Sequence, residues 1–119
     1  MIMDQCLFCR IVRGEIPSGK VNENDNILAF HDIHPAAPVH FMVIPKLHIP
    51  SLMEVGDKHR DLLGEMMALI PRLAEEQGCR DGFRTVINTG PVGGQEIYHL
   101  HIHVIGGGER LPGMIPHRR

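Results

Sequence analysis

The sequence predicts an α+β fold built on a five-stranded, mainly antiparallel sheet, with one short and one long helix. Three observations lead there. Only one stretch, from about Asp57 to Gln77, carries a sustained helical period of apolar residues. Five short strand-like runs surround it, three before and two after. The early runs follow one another at hairpin-length spacing, without the strand–helix–strand alternation that builds a parallel sheet.

The elements follow in chain order. Residues Leu7–Arg13 read as a short helix with Phe8, Ile11 and Val12 on one side; Gly14 ends it, and Ile16-Pro17-Ser18-Gly19 is a turn. Val21–Asn24 and Ile27–Asp32 are two strands joined at Asn24-Asp25-Asn26. Phe41–Ile44, bounded by His40 and Pro45, is a buried strand. In the long helix Leu62, Leu63, Met66, Met67, Leu69, Ile70, Leu73 and Ala74 recur at three- and four-residue steps and give one broad apolar face. Asp57 is its expected N-cap and Gly78 its expected C′ residue, and Pro71 should kink or divide it. Phe83–Asn88 is strand-like, Thr89–Gln95 is a glycine-rich loop, and Tyr98–Ile105 is the final strand. The stretch Gly106–Arg119, with three consecutive glycines, should be irregular.

A chain of 119 residues suits one domain spanning 1–119. With no Trp and one Tyr, its core must rest on Leu, Ile, Val and Met. The formal charge of −2 and the lack of any Lys/Arg run argue against a nucleic-acid partner. They leave room for one small nucleotide, which needs only a few well-aimed donors. No apolar run approaches the roughly 20 residues that span a bilayer, so no membrane partner is expected. The N-terminus shows no signal peptide, and three cysteines do not read as a disulfide framework, so a reducing, cytoplasmic setting is expected.

The most informative segment is His99-Leu100-His101-Ile102-His103-Val104-Ile105. In a strand, side chains alternate faces, so His99, His101 and His103 project to one side and Leu100, Ile102 and Val104 to the core beneath the long helix. Alternating histidines by themselves also fit a solvent-facing polar stripe or a transition-metal site.

The pattern His-φ-His-φ-His-φ-φ (φ hydrophobic) resembles that of the histidine-triad family at every position. The likeness extends upstream through Phe30-His31-Asp32-Ile33, Pro35–Lys46, Asn88-Thr89-Gly90 and Gly93–His99. It covers the chain from Cys6 to about Gly107, and Gly93-Gly94-Gln95 before the triad favours the purine nucleoside phosphoramidase branch. The resemblance implies the histidine-triad fold, dimerised into one continuous sheet through the long helix and the Phe83–Asn88 region. It implies hydrolysis of AMP-amine or acyl-AMP bonds on an AMP- or GMP-type purine nucleotide, through a covalent nucleotidyl-histidine on His101. By the same resemblance His40 orients His101 from behind, and His103 and Asn88 contact the phosphate with backbone N–H groups around Gly94, Gln95 and Glu96. Phe8, Ile11, Phe30 and Ile33 form the purine slot, and Asp32 accepts from the ribose hydroxyls. Some members carry Ser where this chain has Glu96, which removes a hydroxyl that can assist the leaving group. The tail from about Gly108 is expected to reach the partner subunit's site.

The chemistry agrees. A neutral imidazole is nucleophilic near pH 7, and a covalent intermediate divides one difficult displacement into two. The catalytic set is then His101, His40, His103 and His99, with no cofactor required for the chemistry itself.

Cys6-Leu7-Phe8-Cys9 is a C-x-x-C pair. Family members with this pair and histidines matching His48 and His99 bind a structural zinc, and Cys₂His₂ is a standard closed set. A redox pair or two reduced core thiols are the alternatives. Cys79 should be an inert thiol, and His31, His34, His59 and His117 are expected at the surface without a role. Two other functions stay open: dinucleoside polyphosphate hydrolysis, or purine-nucleotide binding as a scaffold with incidental turnover.

Overall fold

The computed structural model describes residues 5–116; His117 lies outside them. The elements are α1 (Leu7–Val12), β1 (Lys20–Glu23), β2 (Ile27–His31), β3 (Val39–Pro45), two 3₁₀ turns (Leu52–Glu54 and Asp57–His59), α2 (Arg60–Glu76), β4 (Phe83–Val86) and β5 (Ile102–Gly106). The strands form one antiparallel sheet in the order β1-β2-β3-β5-β4. The expected α+β sheet and both helices are present.

Period-2 alternation divides the sheet's two faces. Ile27, Ala29, Phe41, Val43, Ile102 and Val104 pack against Met66, Ile70, Leu73 and Ala74 of α2. Leu28, Phe30, Met42 and Ile44 pack on the other face against Phe8 and Ile11 of α1. His40 shares the parity of Met42 in β3, and His103 is the register partner of Met42 in β5. Both histidines therefore stand on the α1 face, diagonal to each other across two hydrogen-bonded strands.

The β1–β2 connection is set by Asn24, whose Oδ1 accepts the N–H groups of Asn26 and Ile27, both at 2.9 Å. α2 ends as expected, with Gly78 at φ +101° past the C-cap Gln77. Its start differs from expectation. The Asp57 carboxylate binds the Arg60 guanidinium at 3.0 Å and opens a 3₁₀ turn, not the helix. His59 is buried, not exposed, because its Nδ1 accepts the Gly56 N–H at 3.0 Å. Pro71 does not divide the helix; it lies on the solvent side, as does Met67, whose carbonyl the proline leaves without a helical donor.

The largest departure concerns the final strand, which spans only Ile102–Gly106 and leaves His99, Leu100 and His101 outside the ladder. Pro45 closes β3 and has no N–H to continue pairing. The Leu100 N–H instead donates to the Ile49 carbonyl at 2.7 Å. β4 ends at Val86, paired with His103 and short of the expected Asn88. The tail beyond β5 is irregular, and Arg84 of β4 donates to the Pro112 carbonyl at 2.7 Å.

Candidate active site

The histidines form two linked groups, and hydrogen-bond partners set the tautomers of His40, His99, His101 and His103. A carbonyl can only accept, so the 2.7 Å contact between His101 Nδ1 and the His99 carbonyl puts hydrogen on Nδ1. His101 Nε2 then carries the lone pair. A backbone N–H can only donate, so the Ala36 N–H at 2.9 Å from His40 Nδ1 puts the His40 hydrogen on Nε2. That nitrogen lies 2.9 Å from His103 Nδ1 and 3.3 Å from Asp32 Oδ2. His103 accepts there and presents a hydrogen on its own Nε2. A lone-pair nitrogen on His101 and a donor on His103 thus stand side by side, their rings 5.0 Å apart.

This arrangement corrects one expectation. His40 bonds His103 and Asp32, and the group that orients His101 is the main-chain carbonyl of His99. Backbone acceptors leave no mark in a residue pattern; the departure from the ladder at His101 is what frees this one.

Burial pushes the His103 imidazole down to about 4; the neighbouring His101 and His40 add to the fall, and Asp32 opposes it. A histidine whose pKa is lower folded than unfolded favours the folded state above its unfolded value of about 6.5. That contribution is lost as pH falls from there through about 4. Denaturant unfolding between pH 7.5 and 4 is therefore expected to show a shallower loss of stability for His103→Gln than for the wild type. Equal slopes would show that His103 keeps an ordinary pKa.

The glycine-rich loop is internally braced. Gln95 is buried, its Oε1 accepting the Gly90 N–H at 2.9 Å and its Nε2 donating to the Pro50 and Ile97 carbonyls at 2.8 and 3.0 Å. The Gly94 and Gln95 N–H groups donate inside the loop, to Pro91 and Gly90 at 3.1 and 3.0 Å. Of the three N–H groups expected to face a phosphate, only that of Glu96 meets no acceptor among the described residues. The Gln95 side chain holds the loop and is not free for an anion. A side chain at Gly93 would collide with the Thr89 carbonyl, so the loop needs glycine there. Asn88 is half-buried and the Glu96 side chain exposed.

Phe8, Ile11 and Phe30 come together as expected, with Phe8 edge-on to Phe30 at 5.4 Å and to His101 at 5.2 Å. Ile33 is not packed with them and stands 85% exposed. Asp32 lies beside His40, and its Oδ1 accepts the His34 N–H at 2.8 Å.

The second group is Cys6, Cys9, His48 and His99. His99 Nδ1 lies 3.4 Å from Cys6 Sγ, 3.5 Å from Cys9 Sγ and 3.3 Å from His48 Nδ1, and Cys9 Sγ lies 3.2 Å from His48 Nδ1. Zinc–ligand bonds of about 2.0–2.3 Å set tetrahedral edges of roughly 3.3–3.8 Å, so the four donors fit one zinc-sized cation. His99 Nε2 donates to the Pro45 carbonyl at 2.7 Å, which turns the Nδ1 lone pair toward the other three. Burial and the adjacent Cys6 push the Cys9 thiol up to about 11. A bound cation reverses that shift, because the thiolate is the ligand. Cys79 is buried elsewhere, and burial raises its thiol too.

A five-stranded antiparallel sheet that presents a histidine cluster beside a braced glycine loop defines the histidine-triad class of hydrolases, and this chain belongs to that family. Residues 5–115 match the family model described as scavenger mRNA decapping enzyme C-terminal binding. The chain is 40% identical over 116 residues to the purine nucleoside phosphoramidase of Escherichia coli K12, covering 97% of each. It is 46% identical to a HIT family hydrolase from Legionella pneumophila, with a TM-score of 0.84 over 87% of this chain and 94% of that one. A histidine triad protein from Clostridium difficile is 44% identical, with a TM-score of 0.90 over 97% and 100%. No helix among the described residues is long and apolar enough to cross a membrane.

Proposed function

We propose that this hydrolase cleaves purine nucleoside phosphoramidates, and related acyl-nucleotides, through a nucleotidyl-histidine on His101. The observation that carries the reading is the His101–His99 carbonyl bond, which in the neutral ring leaves the lone pair on Nε2 for attack. Nε2 attacks the α-phosphorus; the P–Nε2 bond forms as the P–N bond to the amine breaks, and the amine departs with a proton taken up from water. Water then attacks the phosphorus, the P–Nε2 bond breaks, and the nucleoside monophosphate is released. His103, Asn88 and the Glu96 N–H hold the phosphate oxygens, each such donor contributing about 3 kcal/mol to the transition state.

Phe8, Ile11 and Phe30 line the purine slot in this reading, with exposed Ile33 as its outer lip, and Asp32 keeps lone pairs for the ribose hydroxyls. The Cys6, Cys9, His48 and His99 set holds a structural zinc, and the chemistry itself runs on imidazole and amide donors. The whole chain acts as one domain, in a reducing cytoplasmic setting. The unpaired edge of β4 supports a homodimer whose two sheets join there, with the tail beside Arg84 close to the partner.

The test is a direct substrate comparison. Purified protein is expected to release AMP from adenosine 5′-phosphoramidate at least about a hundredfold faster than from a diadenosine polyphosphate, a difference near 2.7 kcal/mol in barrier. The reverse preference would assign it to dinucleoside polyphosphate hydrolysis, and no turnover of either would leave a nucleotide-binding role.

A further inference from the structure

Two clusters of ligand-type side chains meet in this molecule, and the groups behind them are opposite in kind. Besides the Cys6, Cys9, His48 and His99 set, the donor atoms of Asp32, His40 and His103 all lie within 4.8 Å of one another. Two histidines and one carboxylate are a common triad for divalent transition metals. The spacing suits a cation too, with His40 Nε2 2.9 Å from His103 Nδ1 and 3.3 Å from Asp32 Oδ2. Neighbouring ligands on bonds of about 2.1 Å stand roughly 2.9–3.4 Å apart.

The groups behind the rings decide otherwise. A ligating imidazole needs a bare nitrogen toward the metal, so its hydrogen sits on the other nitrogen and finds an acceptor there. His99 meets that condition through the Pro45 carbonyl at 2.7 Å. Behind the His40 ring stands a donor instead, the Ala36 N–H, 2.9 Å from Nδ1. To bare Nε2 for a cation, His40 would have to turn a hydrogen on Nδ1 against that N–H, or lose its last ring proton. The turn between β2 and β3 holds the amide there. The Asp32 N–H donates to the His40 carbonyl at 3.0 Å, and Asp32 Oδ1 accepts the His34 N–H at 2.8 Å. Pro35 and Pro38 limit the backbone between them. The Ala36 side chain is exposed, so the residue acts on His40 through its main chain.

We infer that the Ala36 N–H is a positioning group that holds Asp32, His40 and His103 as a one-way hydrogen-bond relay and closes that triad to divalent cations. The relay runs from the Ala36 N–H to His40 and from His40 Nε2–H to His103 Nδ1, leaving a hydrogen on His103 Nε2. Reversed, it would turn a lone pair outward from His103 Nε2, which repels a phosphate oxygen and attracts a cation. One main-chain amide thus separates a metal-type histidine set from a donor set. The use of that donor on phosphate rests on the proposed reaction; the closure to cations does not.

The experiment exchanges the Ala36 N–H for an ester oxygen by building L-lactate into the full-length chain at that position, which keeps the methyl side chain. Wild type and ester chain both carry Zn²⁺ in the cysteine set, where Co²⁺ does not displace it. Long-range ¹H–¹⁵N spectra should show wild-type His40 and His103 each as the Nε2–H form alone, and both rings averaging in the ester chain. Co²⁺ should bind the ester chain about 10- to 100-fold more tightly, the range by which groups behind a ligand alter metal affinity. Its paramagnetic shifts should fall on the His40 and His103 rings, and adding His40→Ala should abolish the gain. Should the ester chain fail to fold, Ala36→Pro removes the same donor. A folded chain without the donor that keeps both single tautomers, or binds Co²⁺ within about threefold of the wild type, overturns the inference. Neither readout uses substrate, so absence of phosphoramidate cleavage by the wild type would sink the proposed reaction and leave this result standing.

Discussion

His101→Ala is expected to release AMP from adenosine 5′-phosphoramidate at least about 10⁴-fold more slowly than the wild type, the scale on which nucleophile deletions fall in covalent hydrolases. The size of the effect follows from what remains. In the proposed reaction the Glu96 N–H and the His103 donor would still hold the phosphate. Without His101 Nε2, however, water must attack in a single displacement, and no neighbour can replace that nitrogen. The His103 nitrogen nearest His40 is occupied and its other nitrogen carries hydrogen, while the His99 ring is turned away toward the cysteines. Rapid-quench mass spectrometry at alkaline pH should find a nucleotide adduct on wild-type His101 and none on the variant. A variant that keeps more than a tenth of the wild-type rate would rule out His101 as the attacking group.

Removal of the cluster's metal should have the largest effect on stability. The purified protein is expected to hold one zinc per chain by elemental analysis. Zinc at a thousandfold excess over its dissociation constant adds about 4 kcal/mol to the folded state. At roughly 4 °C per kcal/mol for a chain of this size, stripping it should lower Tm by about 15 °C. The physical reason is local: two of the four ligands, Cys9 and His99, are buried and the other two half-buried, the set is spread over a six-residue helix with its N-cap, the segment after β3 and the segment before β5, and no disulfide among the described cysteines ties these together. Cys9→Ala should show the lower Tm without added chelator. An unchanged Tm, with no zinc found, would leave the C-x-x-C pair as two reduced thiols.

Much of this protein was legible in its residues because the patterns are local. The 3.6-residue period of Leu62–Ala74 and the alternation within Ile27–His31 and Ile102–Gly106 assign the faces that become the two cores. The family resemblance singled out His40, His99, His101 and His103, and all four lie within linked contacts. Cys6, Cys9, His48 and His99 converge likewise, from segments up to 93 residues apart.

The roles within those sets were decided by tertiary structure. Alternation would have put His99, His101 and His103 in one equivalent row. The proline that ends β3 and the Ile49 carbonyl pull the chain out of the ladder, and the three rings then face three different partners. Asp57, His59 and the Gln95 N–H diverged from their sequence readings for a related reason: each found a nearby partner that a residue pattern does not encode, in Arg60, the Gly56 N–H and the Gly90 carbonyl. Which side chains face the core follows from period alone, because burial acts on every residue of an element in the same way. Which nitrogen carries a proton follows from single carbonyls and amides, and those are brought into range only when the chain folds.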